Sequence, residues 1–143
     1  MSVQAILKNK GSNVFTIRPE HSLGEVAVLL ANKKVGVAVV TDAKGKILGV
    51  VSERDIVKGI AEYGKGALDM AVRNVMSSPA MTCTAADNAK RILEIMTERR
   101  IRHLPVVEGE ELIGIVSIGD AVNFRLHETQ TEVGVLRDIA VAR

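Results

Sequence analysis

Two short segments of this chain place chemically useful side chains in the same order. Ser52-Glu53-Arg54-Asp55 and Ser117-Ile118-Gly119-Asp120 each set a hydroxyl three residues ahead of a carboxylate. Each follows an apolar run headed by glycine, Gly49-Val50-Val51 and Gly114-Ile115-Val116, and the second unit lies 65 positions after the first. Where a strand gives way to a helix, Ser-x-x-Asp has two uses. It caps the helix, because the serine oxygen accepts from an amide of the first turn and the aspartate sits where the helix dipole favours an anion. It also builds a corner whose N–H groups and hydroxyl suit a phosphate and whose carboxylate can accept from vicinal ribose hydroxyls. The two uses are compatible. Recurrence of the whole seven-residue unit favours the second, since a cap does not require the flanking glycine and apolar positions to match.

A second feature is Arg99-Arg100-Ile101-Arg102-His103-Leu104-Pro105. Arg99 and Arg100 suit a helix C-terminus, where cations complement the dipole and remain solvated. Arg102 and His103 fall past that end, at the entry to a buried strand, where they could meet a phosphate, arginine through its planar fork. Pro105 has no N–H, so it belongs at a sheet edge or leaves room for a ligand on neighbouring backbone. The matching stretch of the first half, Val35-Gly36-Val37-Ala38, is uncharged. Two sites built on these halves should differ in phosphate affinity.

Other chemistry lacks its residues. Neither Gly-x-Gly-x-x-Gly nor Gly-x-x-x-x-Gly-Lys-Ser/Thr occurs. His21, His103 and His127 are far apart without metal-ligand spacing. Cys83 lies in an expected strand and reads as a buried structural thiol. No Ser-His-Asp pattern accompanies Ser52 or Ser117, so catalysis has no support and no catalytic cofactor is expected.

These motifs need elements to position them. The chain has 143 residues, 47% hydrophobic, 25% charged and 2% aromatic, which fits one compact domain with an aliphatic core and excludes a largely disordered chain. Apolar runs ending in Val39-Val40 and Val106-Val107, each followed by a polar turn and the glycine-headed unit, read as hairpins. Upstream, Ser22–Lys33 opens with the capping-box spelling Ser22-Leu23-Gly24-Glu25 and sets Val26, Leu29 and Leu30 on one face. Its counterpart sets Ala89, Ile92, Leu93 and Met96 on one face and Arg91, Glu94, Glu98 and Arg99 outward. Residues 62–78 read as a linker with a short helical piece. Each half thus spells strand, helix, strand, strand, helix, and about 60 residues make too small a core alone. The expectation is a single α/β unit of α+β type, two pseudo-twofold β-α-β-β-α repeats packed sheet to sheet.

A formal net charge of +2, from 19 basic and 17 acidic residues, argues against a dedicated nucleic-acid surface. One cysteine fits a reducing compartment. The start has no secretory signal and no segment approaches a membrane span, so the expected location is cytoplasmic.

The duplicated pattern, with Ile101-Arg102-His103-Leu104-Pro105-Val106-Val107 before its second copy, resembles a pair of cystathionine-β-synthase (CBS) domains, the Bateman module, over roughly residues 14–126. It is similar to bacterial single CBS-pair proteins related to the accessory module of inosine-monophosphate dehydrogenase, not to that enzyme's catalytic barrel. The resemblance implies a first repeat with an N-terminal helix over 1–68, a second with the linker over 69–128, and a helical tail over 129–143. It implies two adenosine sites in a shared cleft. In one, Asp55 would hold ribose and Ser52 and Arg54 the phosphate, completed by Thr82, Thr84, Arg102, His103, Leu104 and Pro105. In the other, Asp120 would hold ribose and Ser117 the phosphate, Gly119 would permit close approach, and Thr16, Val35, Gly36 and Val37 would line the adenine slot. Phosphate should be held better in the first site. The implied role is a noncatalytic energy or redox sensor binding AMP first, then ADP, ATP or NAD(H). Its partners would be a second copy of itself and an unidentified regulated protein, with Val133, Leu136 and Ile139 of the tail as an apolar stripe. The competing reading is a ligand-free interaction module with vestigial pockets, and a weaker one a nicotinamide-dependent enzyme.

Overall fold

The computed structural model describes residues 2–128; the tail stripe at Val133, Leu136 and Ile139 lies outside them. Helix α1 (Val3–Lys10) precedes the first repeat, which consists of β1 (Thr16–Ile17), α2 (Leu23–Lys33), β2 (Val37–Thr41), β3 (Ile47–Ser52) and α3 (Glu53–Tyr63). Two 3-10 turns, Gly64–Asp69 and Val72–Asn74, lead to β4 (Cys83–Thr84), α4 (Ala89–Arg99), β5 (His103–Glu108) and β6 (Glu111–Ser117). A last helix, α5, occupies 118–128. The expected order of elements is present in both halves.

Each sheet has three strands, in the orders β1-β2-β3 and β4-β5-β6, with the outer pair parallel first and antiparallel second. Both hairpins shift register at the same relative place, Val40/Thr41 and Val106/Val107. In the first turn the Asp42 carboxylate accepts from the Lys44 and Lys46 amides, both at 2.9 Å, and Gly45 takes φ +85°, which an L side chain rarely adopts. α2 and α4 start on side-chain caps, Ser22 accepting from Glu25 N at 3.1 Å and Asn88 from Arg91 N at 2.8 Å. Only half of the expected capping box forms at Ser22, because the Glu25 carboxylate turns toward His21 at 3.9 Å. Both helices end on a left-handed basic residue, Lys34 and Arg100.

The central strands are buried on both faces, as packing between a helix layer and a second sheet requires. On one face of β2, Ala38 and Val40 join Leu23, Val26 and Leu30 in one core; on β5, Leu104 and Val106 join Ile92 and Met96 in the other. On the opposite faces Val39 is fully buried and Pro105 buried, where the two sheets meet. Pro105 therefore lies in a central strand and not at a sheet edge. At the position equivalent to Val39, whose N–H donates to Phe15 O at 2.9 Å, it has no N–H to give.

The segments ahead of each repeat cross over. Val3 and Ile6 of α1 belong to the core of the second repeat, whereas Ala67 and Val72 of the linker belong to that of the first. Two isolated bridges mark the same exchange, Ser2 with Asn88 and Ser22 with Ala71, each fixing the cap residue of a central helix to a crossing segment.

Candidate functional site

The two Ser-x-x-Asp units sit where β3 runs into α3 and β6 into α5, and both form complete reciprocal caps. Ser52 N donates to Asp55 Oδ2 at 2.9 Å and Asp55 N to Ser52 Oγ at 3.4 Å. Ser117 N donates to Asp120 Oδ2 at 2.9 Å and Asp120 N to Ser117 Oγ at 3.1 Å. Capping satisfies amides that the helix leaves without partners, and it fixes each carboxylate at a corner.

Each carboxylate then receives a further donor from a crossing segment. Ser77 Oγ donates to Asp55 Oδ1 at 3.1 Å. Lys10 Nζ, at the end of α1, meets Asp120 Oδ2 at 2.6 Å and Ile115 O at 3.0 Å. Lys10 and Ser77 each belong to the segment that leads into a repeat. Burial raises the Asp120 acid, but the Lys10 ammonium and the Ser117 bonds more than offset that and hold it below the usual carboxylate range.

Glycine admits the close approach of these segments, against backbone at Gly49 and against a side-chain end at Gly114. A Cβ on Gly49 would stand 2.6 Å from Ser77 O, and one on Gly114 would stand 2.9 Å from Leu7 Cδ2. Ser77 is also tied to β3 by two backbone bonds, Val50 N to Ser77 O at 3.0 Å and Ser77 N to Val50 O at 2.8 Å. The duplicated glycine thus marks where the partner half's leading segment crosses the sheet.

Around the corners, Glu53 N donates to Gly36 O at 3.0 Å and Ile118 N to Arg102 O at 2.8 Å, so the pre-hairpin residues lie beside the Ser-x-x-Asp unit of their own repeat. Val37 is in register with Ser52, and His103 with Ser117. His103 also feels the charge of Glu53 from the other repeat, which puts its half-buried ring at the seam. Burial and then Lys10 depress its pKa below the ordinary imidazole value, with Asp120 and Glu53 acting the other way.

The remaining sequence candidates are dispersed. Arg54, Thr82 and Arg102 are exposed, Leu104 is buried, and Val35 is packed against the first core. Exposed Thr84 donates its N–H to Asp87 Oδ2 at 2.9 Å. A Cβ on Gly119 would meet only Ser117 Oγ, at 3.7 Å, so the approach to that corner is open. Thr16 lines a surface hollow of about 520 Å³ between the hairpin tips, with Thr41, Lys44, Glu110 and Glu111. A second hollow of about 380 Å³ lies along α4 beside Arg125. Neither contains Asp55 or Asp120.

No group of three or more His, Cys, Asp or Glu side chains among the described residues could hold a metal ion, and no described helix is long and apolar enough to cross a membrane. Cys83 is buried, and burial followed by the Asp87 charge pushes its thiol up to about 12, an inert state. Sequence reasoning missed Lys10 and Ser77. Neither belongs to a motif, and each reaches its carboxylate through a tertiary path that sequence spacing does not report.

A family model described as CBS domain matches residues 9–62 and 72–127. The chain is similar to the crystal structure of the CBS-domain containing protein ATU1752 from Agrobacterium tumefaciens, with 42% identity and a TM-score of 0.84 over 87% of this chain and 92% of that one. It is similar also to the CBS domain protein PAE2072 from Pyrobaculum aerophilum complexed with AMP, with 31% identity and a TM-score of 0.75 over 84% and 89% of the two chains. Inosine-5'-monophosphate dehydrogenase of Methanocaldococcus jannaschii is 29% identical over 79% of this chain and 22% of its own length. The chain spans 33%, 52% and 56% of the length of three further curated relatives.

Proposed function

Since the chain belongs to the CBS-domain family, with two repeats in one unit, we propose that it is a noncatalytic regulatory module. It binds an adenosine nucleotide, AMP first and then ADP, ATP or NAD(H), at the corners formed by Ser52-x-x-Asp55 and Ser117-x-x-Asp120. The observation that carries this reading is the duplicated carboxylate itself. Each is held by its cap at the rim of a sheet, and each has one donor from outside its repeat that a pair of ribose hydroxyls can replace. Arg54 and Arg102 are guanidinium groups available to a phosphate, and His103 can donate to it as a neutral imidazole. An AMP complex of a structural relative at 31% identity supports the ligand class.

Signalling works by population shift. A ligand touching both repeats favours the interrepeat arrangement it binds better, and only by the difference in affinity. The second partner is another copy. Val57, Ile60 and Tyr63 on α3 and Ile118, Val122 and Leu126 on α5 leave large apolar side chains on the surface, Val57 at 66% exposure, and these stripes suit helix packing in a homodimer. The same stripes favour the second reading, an interaction module that works without ligand.

Titration calorimetry and thermal shift with AMP, ATP and NAD separate the two. Ligand at about 100 times its Kd adds roughly 2.7 kcal/mol of stability. Asp55→Ala and Asp120→Ala should each weaken one site, by about 1.5–3 kcal/mol per charge-assisted bond lost. No stabilisation at millimolar nucleotide would leave the interaction module standing alone.

A further inference from the structure

The resemblance gives the basic residues Arg54, Arg102 and His103 to the Asp55 corner, which makes the Asp120 corner the poorer phosphate site. The structure adds one from elsewhere. Lys10 reaches Asp120 from a helix 110 residues away, and its aliphatic stem ends α1, whose Leu7 packs against Gly114. Its ammonium donates to the carboxylate and to Ile115 O, the two acceptors of that corner that would otherwise face incoming donors. Both partners keep solvent access, 31% for the lysine side chain and 24% for the aspartate, so exchange needs no unfolding. The backbone of Arg102 and His103 borders Ser117 and Ile118 of their own repeat, so both residues adjoin this corner as well. At the other corner the equivalent donor is the neutral Ser77 hydroxyl.

We infer that Lys10 is a specificity-determining residue of the Asp120 corner, selecting a nucleoside phosphate over an uncharged nucleoside. The inference rests on the nucleotide reading above. In the empty protein Lys10 holds the carboxylate. Ribose hydroxyls entering that corner must displace it, and displacing an ammonium from a carboxylate penalises any ligand that offers nothing in return. A 5′-phosphate carries a charge of about −1.5 to −2 at neutral pH and takes the released ammonium as its own partner. Adenosine bears the cost of displacement without that compensation.

The test is an amide NMR titration of the full chain with adenosine and with AMP, reading Ser117 and Asp120 for one corner and Ser52 and Asp55 for the other. In the wild type, AMP should bind the Ser117–Asp120 corner at least about tenfold more tightly than adenosine does. Lys10→Met keeps the stem and removes the charge. It should weaken AMP and tighten adenosine at that corner, bringing the ratio toward one, and leave the ratio at the other corner unchanged. Lys10→Arg should retain the preference. Equal weakening of both ligands by Lys10→Met would show a purely structural strap and overturn the inference, as would a ratio indifferent to residue 10. A wild-type AMP complex whose Lys10 Nζ stays on Asp120 with the phosphate elsewhere overturns it without any variant. Absence of shifts at both corners with every adenosine ligand removes the nucleotide reading and this inference together, whereas shifts with an unchanged ratio remove only this one.

Discussion

Gly49→Ala and Gly114→Ala make the same chemical change at equivalent positions, and the structure assigns them different costs. A methyl on Gly49 would stand 2.6 Å from the Ser77 carbonyl oxygen and 3.0 Å from Met76 Sδ. The carbonyl is backbone and is itself held to Val50, so relief requires the crossing segment to lift from β3 and stretch two hydrogen bonds. Overpacking costs about 1–3 kcal/mol, and each weakened bond up to about 1 kcal/mol more. Reduced freedom of the unfolded chain returns about 0.4–1 kcal/mol. The net expectation is a loss of about 1–4 kcal/mol for Gly49→Ala. At Gly114 the obstacle is Leu7 Cδ2 at 2.9 Å, the far end of a half-buried side chain that can change rotamer, so the cost is about 1 kcal/mol or less. Urea unfolding followed by circular dichroism, with m unchanged, measures both. The Gly49 variant should also melt roughly 5–10 °C lower. A Gly49→Ala protein as stable as the wild type, or a Gly114→Ala protein that loses as much, would refute the assignment of the first obstacle to fixed backbone and the second to a movable side chain.

His103 is held below its ordinary pKa mainly by burial. The unfolded chain therefore binds its proton more readily, and the stability from this group is complete above about pH 6.5 and lost as pH falls toward the folded value; replacing it by Gln should flatten the pH–stability curve in that interval, and an unchanged slope would contradict the burial. With its thiol pushed up to about 12, Cys83 should resist alkylation by iodoacetamide at pH 8 in the folded protein and react fully in urea; fast native labelling would count against this placement. Val57→Glu or Leu126→Glu should turn a dimer into a monomer by light scattering without lowering helicity, and a dimer indifferent to both would place its interface elsewhere.

Much of the architecture was legible because the repeat printed it twice. The apolar runs ending in Val39-Val40 and Val106-Val107, the polar turns and the cap spellings report local backbone and burial, and each was available in duplicate. What could not be read was which body an apolar stripe packs against. The face of α1 formed by Val3 and Ile6 has the same period whether it covers the first repeat or the second, and it covers the second. The site shows the same division. Ser52 and Asp55, and Ser117 and Asp120, meet because they are three residues apart on a helix start, which sequence spacing fixes. Lys10 meets Asp120 through a tertiary path that spacing does not encode. Pro105 reads from the sequence as an edge residue or a gap for ligand, and the structure puts it in the central strand, at the position equivalent to Val39, whose N–H donates to Phe15 O ahead of β1.

The exchange of leading segments gives the molecule an interlaced construction. The first ten residues complete a core that begins eighty residues later, so trimming them injures the far half before the near one. Neither half closes without a finger lent by its twin, which ties the two into a single melting event.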